Sequence, residues 1–315
     1  MLNRRHIRVK VMQSLYAMQK MEQPNLDKEE KFLHQSIGQM YDLYLLELQL
    51  LVKVHAFAKA YMDISQKKHL ATEAERNPNQ KFINNRVLNY FQDNQLLQQE
   101  LKKRKLKNWE LDDEYVDILY HEMVAGSVYQ EYMESETDSF KEDRAFVIDL
   151  FKQVIAPNEK LYDYLEDQKI TWVDDLPLVN TTIVKKLGKL KPASPEGAVL
   201  INLYKDEDDE QFTKNLFLRA AQSRESLTQE VITRTPNWDK DRIAEIDLVL
   251  ITMALCEFQK FPEIPVKASI NEYLEIAKEY STPKSSIFIN GILDRMKREY
   301  KKEGKLNKTG RGLIE

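Results

Sequence analysis

Residues 266–298 read V-K-A-S-I-N-E-Y-L-E-I-A-K-E-Y-S-T-P-K-S-S-I-F-I-N-G-I-L-D-R-M-K-R. The stretch reads as two helices, 266–280 and 283–303. Between them, Thr282 offers an N-cap hydroxyl and Pro283 suits a first helical position. In the second helix Phe288, Ile289, Ile292, Leu293 and Met296 recur at a spacing that can face a core. Phe288-Ile289-Asn290-Gly291 is less ordinary. Asn and Gly both disfavour a helix interior, Gly by roughly 1 kcal/mol against Ala. A helix that keeps the pair needs close backbone approach there, from a packed helix or from a ligand.

The helical reading extends outward over the whole chain. Its 315 residues can bury a sizeable core and hold two domains. Only eight glycines and ten prolines interrupt a composition rich in Leu, Glu, Lys, Gln and Met, all helix formers. An all-α fold is expected. Helices are predicted over 3–21, 27–66, 81–100, 112–134, 140–167, 173–188 and 196–204. Further helices are predicted over 208–222, 224–234 and 239–260. Residues 71–80 read as a loop, and K-P-A-S-P-E at 191–196 is the best boundary signal. A shift of residues 146–187 onto 212–253 pairs Phe146 with Phe212, Leu150 with Leu216 and Phe151 with Phe217. It also pairs Glu159 with Glu225, Leu161 with Leu227, Trp172 with Trp238, and Asp175 with Asp241. A degenerate duplicated bundle and chance likeness of amphipathic helices both fit.

The net charge of −4 says less than its distribution. Arg4, Arg5, Arg8, Lys10 and Lys20 share the first helix with no acid. Residues 101–107 and 295–311 are also basic, and 206–210 is wholly acidic. Basic ends on a near-neutral chain can still hold a polyanion locally, although such runs are more often solvated charge. The single cysteine, Cys256, sits in an apolar helical run. It makes no internal disulfide, which is the pattern of a cytoplasmic protein, and it reads as a buried small residue. No signal peptide and no run of the ~20 apolar residues needed for a membrane span is seen.

The first helix carries the most suggestive constellation. Ile7, Val11, Leu15 and Met18 form one apolar face. Beside it runs a stripe of Arg5, Arg8, Met12, Tyr16 and Gln19. Guanidiniums hold phosphates, and a phenol ring can stack on an unpaired base. The alternative is a solvated cationic face with Tyr16 tucked into the core. Catalytic signals are absent: no nucleophile elbow, no phosphate-binding glycine loop, no C-x-x-C, no H-E-x-x-H. The five histidines, 6, 34, 55, 69 and 121, lack metal-ligand spacing. No enzyme, cofactor or metal site is expected.

Four segments resemble the NusB family of transcription antitermination factors. They are Gln13-Ser14-Leu15-Tyr16 after an arginine-rich start, Arg242–Asp247 running on to Ala254-Leu255-Cys256-Glu257, Pro265–Glu272, and Phe288–Asp294. The resemblance implies a pair of helical bundles. It also implies binding of boxA-type single-stranded ribosomal RNA together with NusE, a small-subunit ribosomal protein, within an RNA polymerase elongation complex. Arg4, Arg5, Arg8, Tyr16 and Gln19 then fall on the RNA- and partner-binding helix, and Phe288 and Asn290 on a second helix of the same surface. Two departures stand out. Pro283-Lys284-Ser285-Ser286-Ile287 replaces an acidic and basic stretch, and a long helical insertion follows the first helix. The expected organisation is a first helix in 1–24, an inserted helical bundle in 25–205, the remaining family helices in 206–303, and a flexible tail in 304–315. Two other readings stand beside it. One is a helical protein–protein scaffold without RNA binding. The other is the front end of an RNA methyltransferase, for which no glycine-rich cofactor loop follows.

Overall fold

The computed structural model describes residues 1–234 and 244–314. Helices follow in the order α1 (Arg4–Gln19), α2 (Leu26–Gln66), α3 (Glu73–Arg76), α4 (Arg86–Asp93), α5 (Gln95–Arg104), α6 (Asn108–Leu111), α7 (Glu114–Ala125) and α8 (Ser127–Glu134). Next come α9 (Phe140–Leu150), α10 (Glu159–Gln168), α11 (Leu176–Lys189), α12 (Glu207–Arg234), α13 (Glu245–Lys260), α14 (Val266–Tyr280) and α15 (Ser285–Lys302). No strand occurs among the described residues, so the fold is all-α. The chain divides into two compact units, Met1–Ile37 with Tyr204–Glu315, and Gly38–Leu203. The first division point falls inside α2 and the second just ahead of α12.

The breaks missed by periodicity are mostly asparagine caps. The predicted helix 81–100 divides because Asn85 and Asn94 accept hydrogen bonds from the backbone N–H groups of Leu88 and Leu97. The predicted helix 140–167 divides at a π-helical turn, Phe151–Ile155, and again where Asn158 caps α10. Conversely, 208–222 and 224–234 are one helix, α12. This difference bears on the repeat. Glu159 begins a helix while Glu225 lies in the middle of one, so the paired positions do not share a fold. What Phe146, Phe212, Leu161 and Leu227 share is burial on an apolar face. Trp238, Asp241, Arg242 and Ile243 lie outside the described residues.

In the Gly38–Leu203 unit, α2 is the docking rod. The Trp109 indole donates to the Leu46 carbonyl at 2.8 Å and the Trp172 indole to the Gln39 carbonyl at 2.9 Å. The Tyr44 hydroxyl donates to the Val199 carbonyl at 2.6 Å. Both indoles are buried, so each needs an acceptor to offset lost water.

In the other unit α13 is the hub. It packs against α1, α12, α14 and α15. Its residues Leu250, Ile251, Met253, Ala254, Leu255 and Phe258 are wholly buried, as an apolar helix enclosed by neighbours must be. Cys256 is buried with them, and burial pushes its thiol up to about 12. The acidic run 206–210 forms the first turn of α12. Asp206 accepts from the Asp209 N–H at 3.1 Å, and the carboxylates complement the positive helix end.

The C-terminal segment, expected to be loose, is anchored instead. Gly304 adopts φ 65°, and the Lys305 N–H returns to the Tyr300 carbonyl at 2.9 Å, closing α15 with a left-handed reversal. The chain then runs back to the end of α13. There Lys308 Nζ donates to the Glu257 and Phe261 carbonyls at 3.1 and 2.9 Å, and the Thr309 N–H donates to the Pro262 carbonyl at 3.0 Å. The segment thus adds donors to carbonyls at and just beyond the end of α13.

Candidate nucleic-acid interface

Helix α1 starts at a capping box. The Asn3 side chain accepts from the N–H groups of Arg5 and His6, and the His6 side chain accepts from the Asn3 N–H. The helix rests on α12, α13 and α14 at once. Each of its three arginines therefore meets a carboxylate on a different neighbour. Arg4 pairs with Asp209 of α12 at 2.9 Å. Arg5 holds Glu272 of α14 through two bonds of 3.0 Å. Arg8 holds Glu257 of α13 through bonds of 2.6 and 2.9 Å.

Arg8 is buried, contrary to the exposed cationic stripe expected from its spacing. Its side chain is only 3 % exposed, at the meeting of four helices. Glu257 also accepts from the hydroxyls of Ser269 and Tyr273, each at 2.7 Å. Burial alone would raise the Glu257 carboxyl, but Arg8 and the hydroxyl donors hold it below the usual carboxylate range. Burial likewise works against the Arg8 charge, and Glu257 reverses the sign. Met12, the next residue of the stripe, is also buried. A helix with neighbours on several sides buries its cationic stripe as well as its apolar one.

Arg4 and Arg5 keep side chains 44 % and 36 % exposed. Beside Arg4 lies an open cleft of about 260 Å³ lined by Phe212, Arg219, Lys260 and Phe261 among others. The Arg4 guanidinium sits over the Phe212 ring at 5.0 Å, and Arg219 over Phe261 at 5.2 Å. The two rings meet edge to face at 5.4 Å. Arg219, Lys260 and Phe261 line this cleft and were not singled out by the sequence. Their one signal was the Lys260-Phe261-Pro262 sequence at a helix end, a cation and an aromatic ring at a forced turn.

Tyr16 and Gln19 are half-buried at the opposite end of α1, with Lys20 over the Tyr16 ring at 5.5 Å. Eleven residues of helix separate Arg5 from Tyr16, a rise of about 16 Å. Lys20 pairs with Glu245 at the start of α13. Two residues on, Asp247 accepts from the hydroxyls of Ser281 and Ser285 at 2.5 and 2.7 Å. This grip sets the start of α15 at Ser285, two residues beyond the predicted Pro283. The Tyr16 end of α1 and the Phe288 end of α15 thus meet the same first turn of α13. Phe288 and Asn290 are half-buried and Gly291 is exposed. Ile287 is 76 % exposed beside them. The expected single strip is therefore two surfaces, one cationic around Arg4 and Arg5, one aromatic and apolar around Tyr16 and Phe288.

The other basic segments contribute some of their charges to internal pairs. Arg104 pairs with Asp42, Arg295 with Glu299, and Lys305 with Glu230 and Glu303. Among the described residues no group of His, Cys, Asp and Glu could hold a metal ion. No helix there is long and apolar enough to cross a membrane.

Comparison with known proteins addresses the helices from α12 to α15. The NusB family profile matches residues 188–298. Transcription antitermination protein NusB of Salinibacter ruber is 41 % identical over 116 residues, spanning 37 % of this chain and 72 % of that protein. NusB of Chloroherpeton thalassium is 44 % identical over 94 residues, 30 % of this chain and 44 % of that protein. NusB of a Thermoanaerobacter species is 37 % identical over 108 residues, 33 % and 76 %. No solved structure matches the chain significantly. The fold and these relatives define a non-enzymatic, all-α protein of the transcription antitermination class. The chain belongs to the NusB family. Residues 1–187, α1 among them, and 299–315 lie outside the matched segment.

Proposed function

We propose that the unit of 1–37 and 204–314 binds a short single-stranded RNA of the boxA type together with NusE, as part of a cytoplasmic RNA polymerase elongation complex. Arg4 and Arg5 meet phosphates by exchanging an internal carboxylate for a phosphate oxygen. Arg219 and Lys260 extend the positive surface, and Phe212 and Phe261 offer faces for an unpaired base. Tyr16, Gln19, Phe288 and Asn290, with exposed Ile287, form the partner-facing end. Arg8 organises the bundle and touches neither ligand. The observation that supports this most is the pair of half-exposed guanidiniums beside a phenylalanine-lined cleft, in a chain of this family.

Fluorescence anisotropy with boxA RNA, with and without NusE and across a salt series, tests the reading. NusE should tighten binding, and affinity should fall steeply with salt. Equal, weak, salt-insensitive binding of boxA and scrambled RNA would overturn it. One observation favours a second reading, a protein-only helical scaffold: every arginine of α1 already has a carboxylate partner. That reading predicts NusE binding with no RNA dependence.

A further inference from the structure

The 38–203 unit carries a carboxylate with no evident structural duty. Glu47 of α2 is 2 % exposed, and burial is the sole influence on its carboxyl, pushing it up to about 8. No cation perturbs it, unlike Glu257, which is equally deep. Its Oε2 has no hydrogen-bond partner among the described residues, and neither has the buried Oδ1 of Asn180. Both residues line one cavity of about 290 Å³. Its other walls are mainly apolar, among them Ile155, Leu161, Leu165, Val173 and Leu176. Asn158, the other polar residue on the wall, is already used. It caps α10 and donates to Glu122 Oε2 at 2.6 Å. The π-helical turn 151–155 brings Ile155 to the wall, and such turns recur at binding sites.

Once Glu47 ionises against a cation, its Oε2 and Asn180 Oδ1 offer two acceptors in an apolar cavity, which suits a donor with a hydrocarbon body. A buried lone carboxylate is costly, and a stability role would normally give it a cation or hydroxyl partner. The volume lies at the small end of the range for ligand pockets. Tyr162 is part-exposed on the same wall, so the cavity has a route to solvent.

We propose that this cavity binds a small primary alkylammonium ion, with its N–H groups donating to Glu47 Oε2 and Asn180 Oδ1 and its alkyl chain against Leu161, Leu165 and Leu176. The site is separate from the RNA reading and does not depend on it. A partly buried charge-assisted bond distinguishes this ligand from a neutral isostere.

Isothermal titration calorimetry of the full chain with n-hexylamine hydrochloride and with 1-hexanol tests the assignment. Hexylammonium should bind saturably, one per chain, about tenfold or more tighter than hexanol, a difference of roughly 1.4 kcal/mol or more. Glu47→Gln should abolish that preference. A second measurement needs no variant. Near pH 6.5, titration in two buffers of different ionisation enthalpy should show about one proton released per ligand, as Glu47 ionises on binding. Equal affinity for the amine and the alcohol, no saturable binding of the amine, no proton release, or an unchanged preference in Glu47→Gln would each overturn the proposal.

Discussion

Arg8 and Glu257, 249 residues apart in the chain, form a two-bond ion pair sealed inside the bundle. Glu257 is the last residue of the Ala254–Glu257 segment that resembles the family. Glu272, which ends the Pro265–Glu272 segment, takes Arg5, and Asp247 of the Arg242–Asp247 segment grips Ser281 and Ser285. Three acids in family-like segments are therefore helix-to-helix clamps. The Arg8 guanidinium is one half of such a clamp.

Removing one member of this pair should cost far more than removing both. Arg8→Leu leaves a buried charge with hydroxyl donors alone, an expected loss of about 3–5 kcal/mol. Arg8→Met with Glu257→Leu should recover a large part of it. Urea unfolding of the two singles and the double measures the difference. Equal losses in all three would contradict a mutually dependent pair.

Acid should act through the same pair. Glu257 holds its proton less tightly in the folded protein than in the unfolded chain. The unfolded chain therefore takes up that proton first as pH falls. The stabilisation is complete above the unfolded value of about 4.5 and fades below it. Glu257→Gln should be less stable at neutral pH and lose less on acidification. Melting temperature against pH reads both effects.

Ser285→Ala should fray the start of α15. It strips one donor from the Asp247 carboxylate and should cost about 1–3 kcal/mol. Hydrogen exchange should quicken first at residues 285–289. Exchange unchanged there would show that the clamp does not set this helix start.

Gly312→Ala tests the anchored C-terminal segment. A Cβ at that position would lie 1.9 Å from the Pro262 carbonyl oxygen, which is backbone and cannot turn aside. The segment should detach, and trypsin should cut after Lys305 and Lys308 much faster than in the parent protein.

Within the proposed RNA reading, Arg5→Gln and Arg8→Gln should part company. Loss of a phosphate contact lowers the salt slope by about one unit. Arg5→Gln should do so in a stable protein. Arg8→Gln should lose stability, and wherever it stays folded its slope should match the parent. Matching changes in slope would mean that Arg8 does reach the RNA.

Much of the architecture was readable from pattern. The α14 bounds, the length of α2 and the all-α class follow from periodicity, because a helix of that length repeats its apolar face many times. Helix breaks at Asn85, Asn94 and Asn158 were not readable, since a capping asparagine and a tolerated interior one look alike. At the candidate site, Arg4 and Arg5 keep the exposure that the sequence suggested, whereas Arg8 is buried in an ion pair. Arg219 and Phe261 were missed because they join Arg4 from separate helices.

The order of residues alone settled that this chain is helical, that it belongs to the NusB family, and which side chains share a helix face. Packing settled which of those faces meets water. Periodicity reports angles around one axis, whereas exposure depends on how many other axes lie against it, and α1 has three. That is why one cationic stripe divides into Arg8, locked to an acid 249 positions away, and Arg5, still turned toward solvent.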